Sequence, residues 1–353
     1  MREKKVVTQK DIAQSLGISR GTVDRALHDR QGISGEVKQQ ILSTAKQLGY
    51  APNRFAQFLV TRKQINIAMI TPGDPFWTRV HEGANSFLAE LGHWLVQVRW
   101  LETEVHDPEQ EAALFEEALA EGVDGIGVAP SDPDLLAPWI NRAVESGIPV
   151  VTLNTDAPTS KRLVFIGQDP VGAGRVAAEL LGKFMMGRGK VVILTGFRNV
   201  LVHKLRTASF QEVIADDFPA IAIEGIHESH DSDRGAYEIT RAVFSERSDI
   251  DGIYLTTGTG IGGVGRALKE VSRAGSVRVV CFDFLNDTVE LLKEDIVSAS
   301  IGEDPYSQGY QTVKAIYDYI VDKKRPESSF LYTRTDIGLK ANIDLLVSYG
   351  SMT

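Results

Sequence analysis

From residue 65 onward the chain repeats one pattern: a short run of β-branched residues, a turn, then an amphipathic helix. Ile65–Ile70 precedes a helix over 77–91, Val123–Val128 precedes 134–146, and Val150–Leu153 follows. Val164–Ile166 precedes 171–186, Val191–Leu194 precedes 203–215, and Ile253–Leu255 precedes 262–273. Val279–Phe282 precedes 286–293, and Val297–Ile301 precedes 306–321. Short apolar runs without polar alternation are strands buried on both faces, which requires parallel sheets covered by helices. The spacing therefore predicts an α/β fold of doubly wound parallel sheets, with too many elements for one sheet and so two lobes. Ligands of such sheets sit beyond the carboxyl ends of the strands.

The first sixty residues have a different character. Residues 1–63 hold 12 Lys+Arg against 5 Asp+Glu, while the remainder holds 26 against 42. A basic head on an acidic body directs the head to a polyanion. Three short helices are predicted there. Thr8 caps Gln9–Ser15, with Ile12, Ala13 and Leu16 on one face. Gly17 breaks it, and Ser19 caps a second helix through Leu27 with Val23, Ala26 and Leu27 inward. Ser34 starts a third, with Val37, Ile41, Leu42, Ala45 and Leu48 apolar, and Gly49 stops it. Leu16-Gly17-Ile18-Ser19 is the turn of a helix-turn-helix, whose second helix enters the major groove. Its exposed residues are Arg20, Gly21, Asp24 and Arg25, and arginine reads guanine through two hydrogen bonds. Thr8, Ser19 and Thr22 are placed to donate to phosphates.

Composition closes other routes. Among 353 residues the single cysteine, Cys281, excludes an internal disulfide framework and multi-cysteine metal sites. No window approaches 18 consecutive apolar residues, so no membrane span is expected. Met1-Arg2-Glu3-Lys4-Lys5 leads into a polar helix pattern and not an apolar core, which points to the cytoplasm.

The run Thr8-Gln-Lys-Asp11-Ile12-Ala13, Gly17-Ile18-Ser19, Thr22-Val23, Arg25-Ala-Leu27, Ile33-Ser34, Ala45 and Leu48-Gly49-Tyr50-Ala-Pro52-Asn53 resembles the headpiece of the lactose-repressor (LacI) family. One departure is Asp24, where the family usually has Ser; a carboxylate repels phosphate but accepts from cytosine N4. The resemblance implies that Asn53 to Val60 is a hinge helix folding in the minor groove, with Leu59 wedged into a central base step and Ala56 lining the same face. A helix this short is marginal alone and needs DNA and a partner hinge to form.

Nearly all of residues 65–345 is similar to the ribose-binding type of periplasmic receptor, which is also that family's effector domain. The similarity rests on Asp74-Pro-Phe76-Trp77, Ile148 to Asp156, Gly167-Gln168-Asp169, Arg206, Phe282-Asp283 and Ile301-Gly-Glu303-Asp-Pro305. It implies three strand crossings, near 167–169, 302–304 and 333–336. The domains expected are a headpiece at 1–51, a hinge and linker at 52–64, and a two-lobed effector-binding and dimerisation domain at 65–353. Lobe 1 comprises about 65–167 and 303–333, and lobe 2 about 168–302 and 334–353. Phe76 and Trp77 offer aromatic faces to a sugar ring, and Asp156, Asp283 and Arg206 offer charge-assisted hydrogen bonds to hydroxyls. Asp74, Asn154, Gln168 and Glu303 complete the expected site. Ribose receptors carry Asn at the positions of Gly258 and Asp74 and Gln at that of Glu303. The cleft is thus expected to be more acidic and roomier than a ribose site, suiting a larger polyol or saccharide, or a ligand with a cationic group.

The principal alternative is an enzyme. Gly258-Thr-Gly260-Ile-Gly262-Gly263 follows a strand, opens a helix and has Asp283 twenty residues further on, as in an NAD(P)-binding fingerprint. It falls late in the chain, and no catalytic base or substrate arginine stands beside it. His227, His230 and Asp231 are a weak metal pattern in a loop after a strand, with Glu228-Ser229 in that loop, and no Gly-x-Ser-x-Gly elbow occurs. The expectation is a non-enzymatic, homodimeric DNA-binding regulator, most simply a repressor, with operator DNA and a sugar or polyol as partners and neither cofactor nor metal. Leu59→Ala should weaken operator binding at least tenfold in fluorescence anisotropy while calorimetry shows unchanged effector binding; parallel loss of both would remove the hinge assignment.

Overall fold

Thr8 opens the first helix, α1 (Gln9–Leu16), through a capping box: its hydroxyl accepts from the Asp11 N–H, and the Asp11 carboxylate accepts from the Thr8 N–H at 2.7 Å. Gly17, at φ 63°, ends α1 in the left-handed conformation that glycine adopts without strain. Helices α2 (Arg20–Leu27) and α3 (Gly35–Leu48) follow, started by Ser19 and Ser34 hydroxyls that accept from Thr22 and Val37 N–H groups. Ile12, Ala13, Val23, Ala26, Ile41 and Ala45 form the buried centre of this unit. Leu42 and Leu48, expected inside, are 38% and 40% exposed; the inward face of α3 follows Val37, Ile41 and Ala45 at i, i+4 and i+8, Leu42 lies off it, and Leu48 is the last residue of the helix.

The computed structural model describes residues 7–27, 31–48, 64–91, 95–103 and 107–350, in two units, Met1–Gln64 and Ile65–Thr353. The expected hinge residues Asn53, Ala56 and Leu59 lie outside the described residues.

The second unit carries two six-stranded sheets. The first lobe is built from β1 (Ile65–Pro72), α4 (Pro75–Leu91), β2 (Val96–Thr103), α5 (Pro108–Glu121), β3 (Gly125–Val128), α6 (Pro133–Glu145), β4 (Val150–Leu153) and β5 (Val164–Gly167). The second lobe takes α7 (Pro170–Phe184), β6 (Arg188–Thr195), α8 (Leu201–Asp217), β7 (Ala220–Glu228), α9 (Asp233–Glu246), β8 (Gly252–Leu255), α10 (Ile261–Glu270), β9 (Arg278–Phe282), α11 (Asn286–Lys293) and β10 (Ala299–Gly302). The chain then returns to lobe 1 with α12 (Pro305–Asp322) and β11 (Phe330–Tyr332), and ends on lobe 2 with β12 (Asp336–Gly338) and α13 (Ile343–Gly350). Strand orders are β11-β5-β4-β3-β1-β2 and β12-β10-β9-β8-β6-β7, parallel throughout except for antiparallel β10–β12. Each lobe therefore repeats one topology, with order reversal between β1 and β3 and between β6 and β8. Crevices open at those reversals.

Every residue of β3, β4, β5, β8 and β10 is buried, which is why those strands read as uninterrupted apolar runs. The alternation missed β2 and α5, and it missed α9. Glu228, expected in a loop, is the last residue of β7. The helix ends otherwise differ from the periodicity by at most three residues.

Close helix packing explains several glycines. A Cβ on Gly83 of α4 would stand 1.9 Å from the Tyr306 carbonyl oxygen of α12, and one on Gly309 of α12 would stand 1.9 Å from that of Val80. The two helices touch backbone to backbone, with no flexible side chain to yield. Gly83→Ala and Gly309→Ala should each destabilise the protein by about 3 kcal/mol or more, seen as a large drop in melting temperature. Gly122→Ala tests the same substitution where a Cβ would meet nothing and only φ is unfavourable, and should cost less.

Candidate ligand cleft and DNA-contact helix

On the headpiece, Ser19, Arg20, Gly21 and Arg25 are exposed on the first turns of α2, while Thr22 and Asp24 are half-buried. Arg25 folds back, its Nε donating to the Gly21 carbonyl at 3.1 Å, which sets its guanidinium along the helix. Asp24 accepts from Gln9 Nε2 of α1 at 3.3 Å, so the family's serine position is here a link between the two helices. The Thr8 hydroxyl donates to the Asp11 carboxylate, which makes Thr8 a helix cap and removes the expected phosphate donor. Ser19 and Thr22 hydroxyls lie 2.8 Å apart.

Between the lobes, the strand ends converge on a narrow cleft. Asp74, Phe76 and Trp77 reach it from the β1–α4 turn, and Asn154 from the end of β4. From lobe 2 come Asp231 after β7, Thr257 and Thr259 after β8, Asp283 after β9, and Val202, His203 and Arg206 on α8. Glu303 enters from the second crossing.

Arg206 is the centre of this arrangement and is 2% exposed. Its guanidinium donates to the Thr256 carbonyl at 3.1 Å and to Gln168 Oε1 at 3.0 Å, and it pairs with Glu303 at 2.8 Å. The group lies 3.7 Å from the Phe282 ring centroid, a cation–π contact. Gln168 in turn donates to the Gly302 carbonyl, Asn154 donates to Glu303 at 3.1 Å, and Thr333 donates to the Glu303 carbonyl at 2.8 Å. The three crossings, at 168–169, 303–304 and 333–335, are thus joined to one another and to Arg206. Gln168 supports Arg206 from behind and is absent from the cleft lining.

Asp156 does not line the cleft either. Its carboxylate is held by Arg162, with one bond at 2.6 Å, and accepts from Thr152 Oγ1 and the Ala157 N–H. It closes the β4–β5 loop, and the salt bridge to Arg162 has taken up the acceptors expected for a ligand. The expected roominess is also corrected: a Cβ on Gly258 would stand 2.7 Å from Asp283 Oδ2, so the carboxylate fills the space that glycine leaves.

His203, Thr257 and Thr259 were not anticipated, and Asp231, considered only in a weak metal pattern, lines the cleft. His203 precedes Arg206 by three residues on α8, so helical spacing carried that signal. Its Nδ1 accepts from the Phe197 N–H at 3.2 Å, and burial, with Arg206 beside it, lowers its pKa to about 4, so the ring is neutral. Burial raises Asp74 to about 6, opposed by the Phe76 N–H it accepts from. Asp283 is raised well above the usual carboxylate range by burial and by Glu303.

The glycine-rich turn has a different use from the one its spacing suggests. Asp233 Oδ1 accepts from the Gly263 N–H at 3.2 Å, and a Cβ on Gly263 would stand 2.0 Å from the Asp233 carbonyl oxygen. The glycines pack α10 on α9, and a carboxylate of the chain sits on the helix N-terminus where a pyrophosphate would bind. This contradicts the dinucleotide reading. Among the described residues no group of three or more His, Cys, Asp or Glu side chains is placed to hold a metal ion, and no helix is long and apolar enough to cross a membrane.

Comparison with known proteins agrees with this architecture. Residues 65–324 match the periplasmic binding protein domain, and residues 8–53 match the lacI family of bacterial regulatory proteins. The chain belongs to the lacI-family regulators with a periplasmic binding protein domain. The HTH-type transcriptional regulator MalR of Streptococcus pneumoniae is 26% identical over 84% of this chain and 89% of its own length. The ribose import binding protein RbsB of Haemophilus influenzae is 25% identical over 76% of this chain and 88% of its own. The crystal structure of GanP, a glucose-galactose binding protein from Geobacillus stearothermophilus, superposes with a TM-score of 0.74 at 26% identity, covering 79% of this chain and 99% of that one. This lacI-family regulator therefore shares a receptor fold in its second unit and a regulator's organisation over both.

The Asp74 shift fixes a pH dependence. Its folded pKa, about 6, exceeds the ordinary 3.8, so the native state holds the extra proton between those values and stability falls as pH rises through that window. Asp74→Asn should melt higher than the wild-type apo protein above pH 6, by on the order of 1–2 kcal/mol, and the gap should close toward pH 4. A gap independent of pH would refute the shift.

Proposed function

We propose that this chain is a DNA-binding transcriptional repressor whose operator affinity is set by a sugar-class or polyol effector in the interlobe cleft. Two chains act together, placing two headpieces on a near-palindromic operator in the cytoplasm. Ser19, Arg20, Gly21, Thr22, Asp24 and Arg25 face the major groove, and Asn53, Ala56 and Leu59 belong to the hinge. The names of the relatives, a transcriptional regulator and a ribose import binding protein, support both halves of this reading.

The observation that carries it is the bonding of Arg206 to both Gln168 and Glu303. A ligand that engages Arg206 displaces groups on two crossings at once, and Thr333 brings in the third. Binding in the cleft is thereby communicated to the angle between lobes without a separate relay. A marginal hinge helix converts a small angular change into lost DNA affinity, because coupling of about 1–3 kcal/mol changes binding roughly 5–150-fold.

The test is binding of the purified full-length protein to DNA from upstream of its own gene, across sugars and polyols. Specific binding that a compound weakens at least fivefold is expected. Arg206→Ala should retain DNA binding and lose the response. A compound that tightens binding would reverse the regulatory sign, and absence of specific DNA binding under every condition would overturn the proposal.

A further inference from the structure

The cleft is electrostatically unbalanced. Four carboxylates line it, Asp74, Asp231, Asp283 and Glu303, and among the described residues Arg206 is the only lysine or arginine that does. Glu303 and Arg206 pair with each other, and neutral His203 supplies no counter-charge. Asp74, Asp231 and Asp283, from both lobes, make the lining predominantly acidic.

Two of them are built in at the expense of the surrounding chain. Asp283 and Asp231 both have positive φ, 62° and 46°. Each occupies a niche that a glycine at a neighbouring strand end leaves open: a Cβ on Gly258 would stand 2.7 Å from Asp283 Oδ2, and one on Gly196 would stand 2.2 Å from Asp231 Oδ1. Asp283 is 8% exposed, and its Oδ1 has no hydrogen-bond partner. Asparagine tolerates positive φ at least as well as aspartate and would relieve the repulsion with Glu303. Local stability therefore favours the amide at 283, and a carboxyl group, which burial and Glu303 keep protonated until a cation arrives, is there for another reason.

Resting on the reading of this cleft as the effector site, we infer that the effector is a polyhydroxylated amine, an amino sugar or amino polyol bound in its protonated form. A buried carboxylate with a vacant acceptor is costly until a cation completes it. Asn154, Thr257 and Thr259 serve hydroxyls on the same molecule. Phe76 and Trp77, with ring centroids 5.2 Å apart at 81°, present aromatic faces suited both to a sugar's C–H face and to an adjacent ammonium. An anionic sugar phosphate or sugar acid meets the same aspartates and is rejected.

Calorimetry on the full-length protein at pH 7 tests this with matched pairs: 1-amino-1-deoxy-D-glucitol against D-glucitol, and D-glucosamine, D-galactosamine and D-mannosamine against their parent hexoses and N-acetyl derivatives. At least one amine should bind tenfold or more tighter than both its neutral parent and its acetylated form. Asp283→Asn should bring that ratio near one while keeping or raising the apo melting temperature. Asp74→Asn, outside the positive-φ positions, gives the same readout should the first variant not fold. Neutral parents that bind as tightly as the amines would overturn the charge inference and leave the effector-cleft reading standing. Failure of both series to bind would overturn the two together, since neutral sugars are then refused as well.

Discussion

A guanidinium with 2% of its surface exposed is expensive to bury, and the second unit is arranged around meeting that cost at Arg206. Gly174 allows α7 to come within reach of the Arg206 backbone, since a Cβ there would stand 2.5 Å from the Arg206 carbonyl oxygen. The ring of Phe282 lies beneath the charge, and Phe210 stacks on Tyr254 at 4.1 Å in the same core. Thr256 supplies a carbonyl, and Gln168 and Glu303 supply further acceptors, while the buried Nε is left without one. Removing any one partner leaves charge or donors unmet in a low-dielectric interior. The lobes and their crossings are thereby made parts of one polar network, which is what a ligand-responsive joint requires.

How much of this was legible in the sequence depends on where the signal resides. The strands buried on both faces announced themselves, because solvent imposes no alternation on them. β2, Val96–Thr103, is an edge strand whose pattern mixes buried Val96 and Leu101 with exposed Gln97 and Glu102, and it was passed over for that reason. In the cleft, residues close to strand ends were found, Asp74, Phe76, Trp77, Asn154, Asp283 and Glu303, and so was Arg206 on α8; all line it. Asp156 was misplaced because its carboxylate answers to Arg162, six residues away, a pairing that only the loop's path creates. Asp231 was hidden in a positive-φ turn after β7, where nothing in the local pattern says which way a side chain points.

The two units differ in what holds them together. The second has extensive cores on both sheets, whereas among the described residues the headpiece centre consists of six buried side chains, all Ile, Val or Ala. Caps at Thr8, Ser19 and Ser34 matter more in such a small unit, where each contributes about 1 kcal/mol against a narrow margin. A DNA-contact element of low intrinsic stability responds to modest bias from elsewhere, and a rigid receptor fold supplies that bias only through its joints.

Charge in the cleft bears on that bias directly. Asp74 belongs to lobe 1, while Asp231 and Asp283 belong to lobe 2, so like charges face each other across the space that closes on a ligand. Bringing such carboxyl groups together opposes closure or keeps a proton on one of them, as burial and Glu303 do for Asp283. A cation placed between them reverses the sign of that term, whereas a neutral ligand leaves it in place. On the proposed reading of the cleft, the carboxyl groups that select the ligand also oppose closure without it. Specificity and the switch then rest on one set of residues, and a ligand of the wrong charge fails at closure even where its hydroxyls fit.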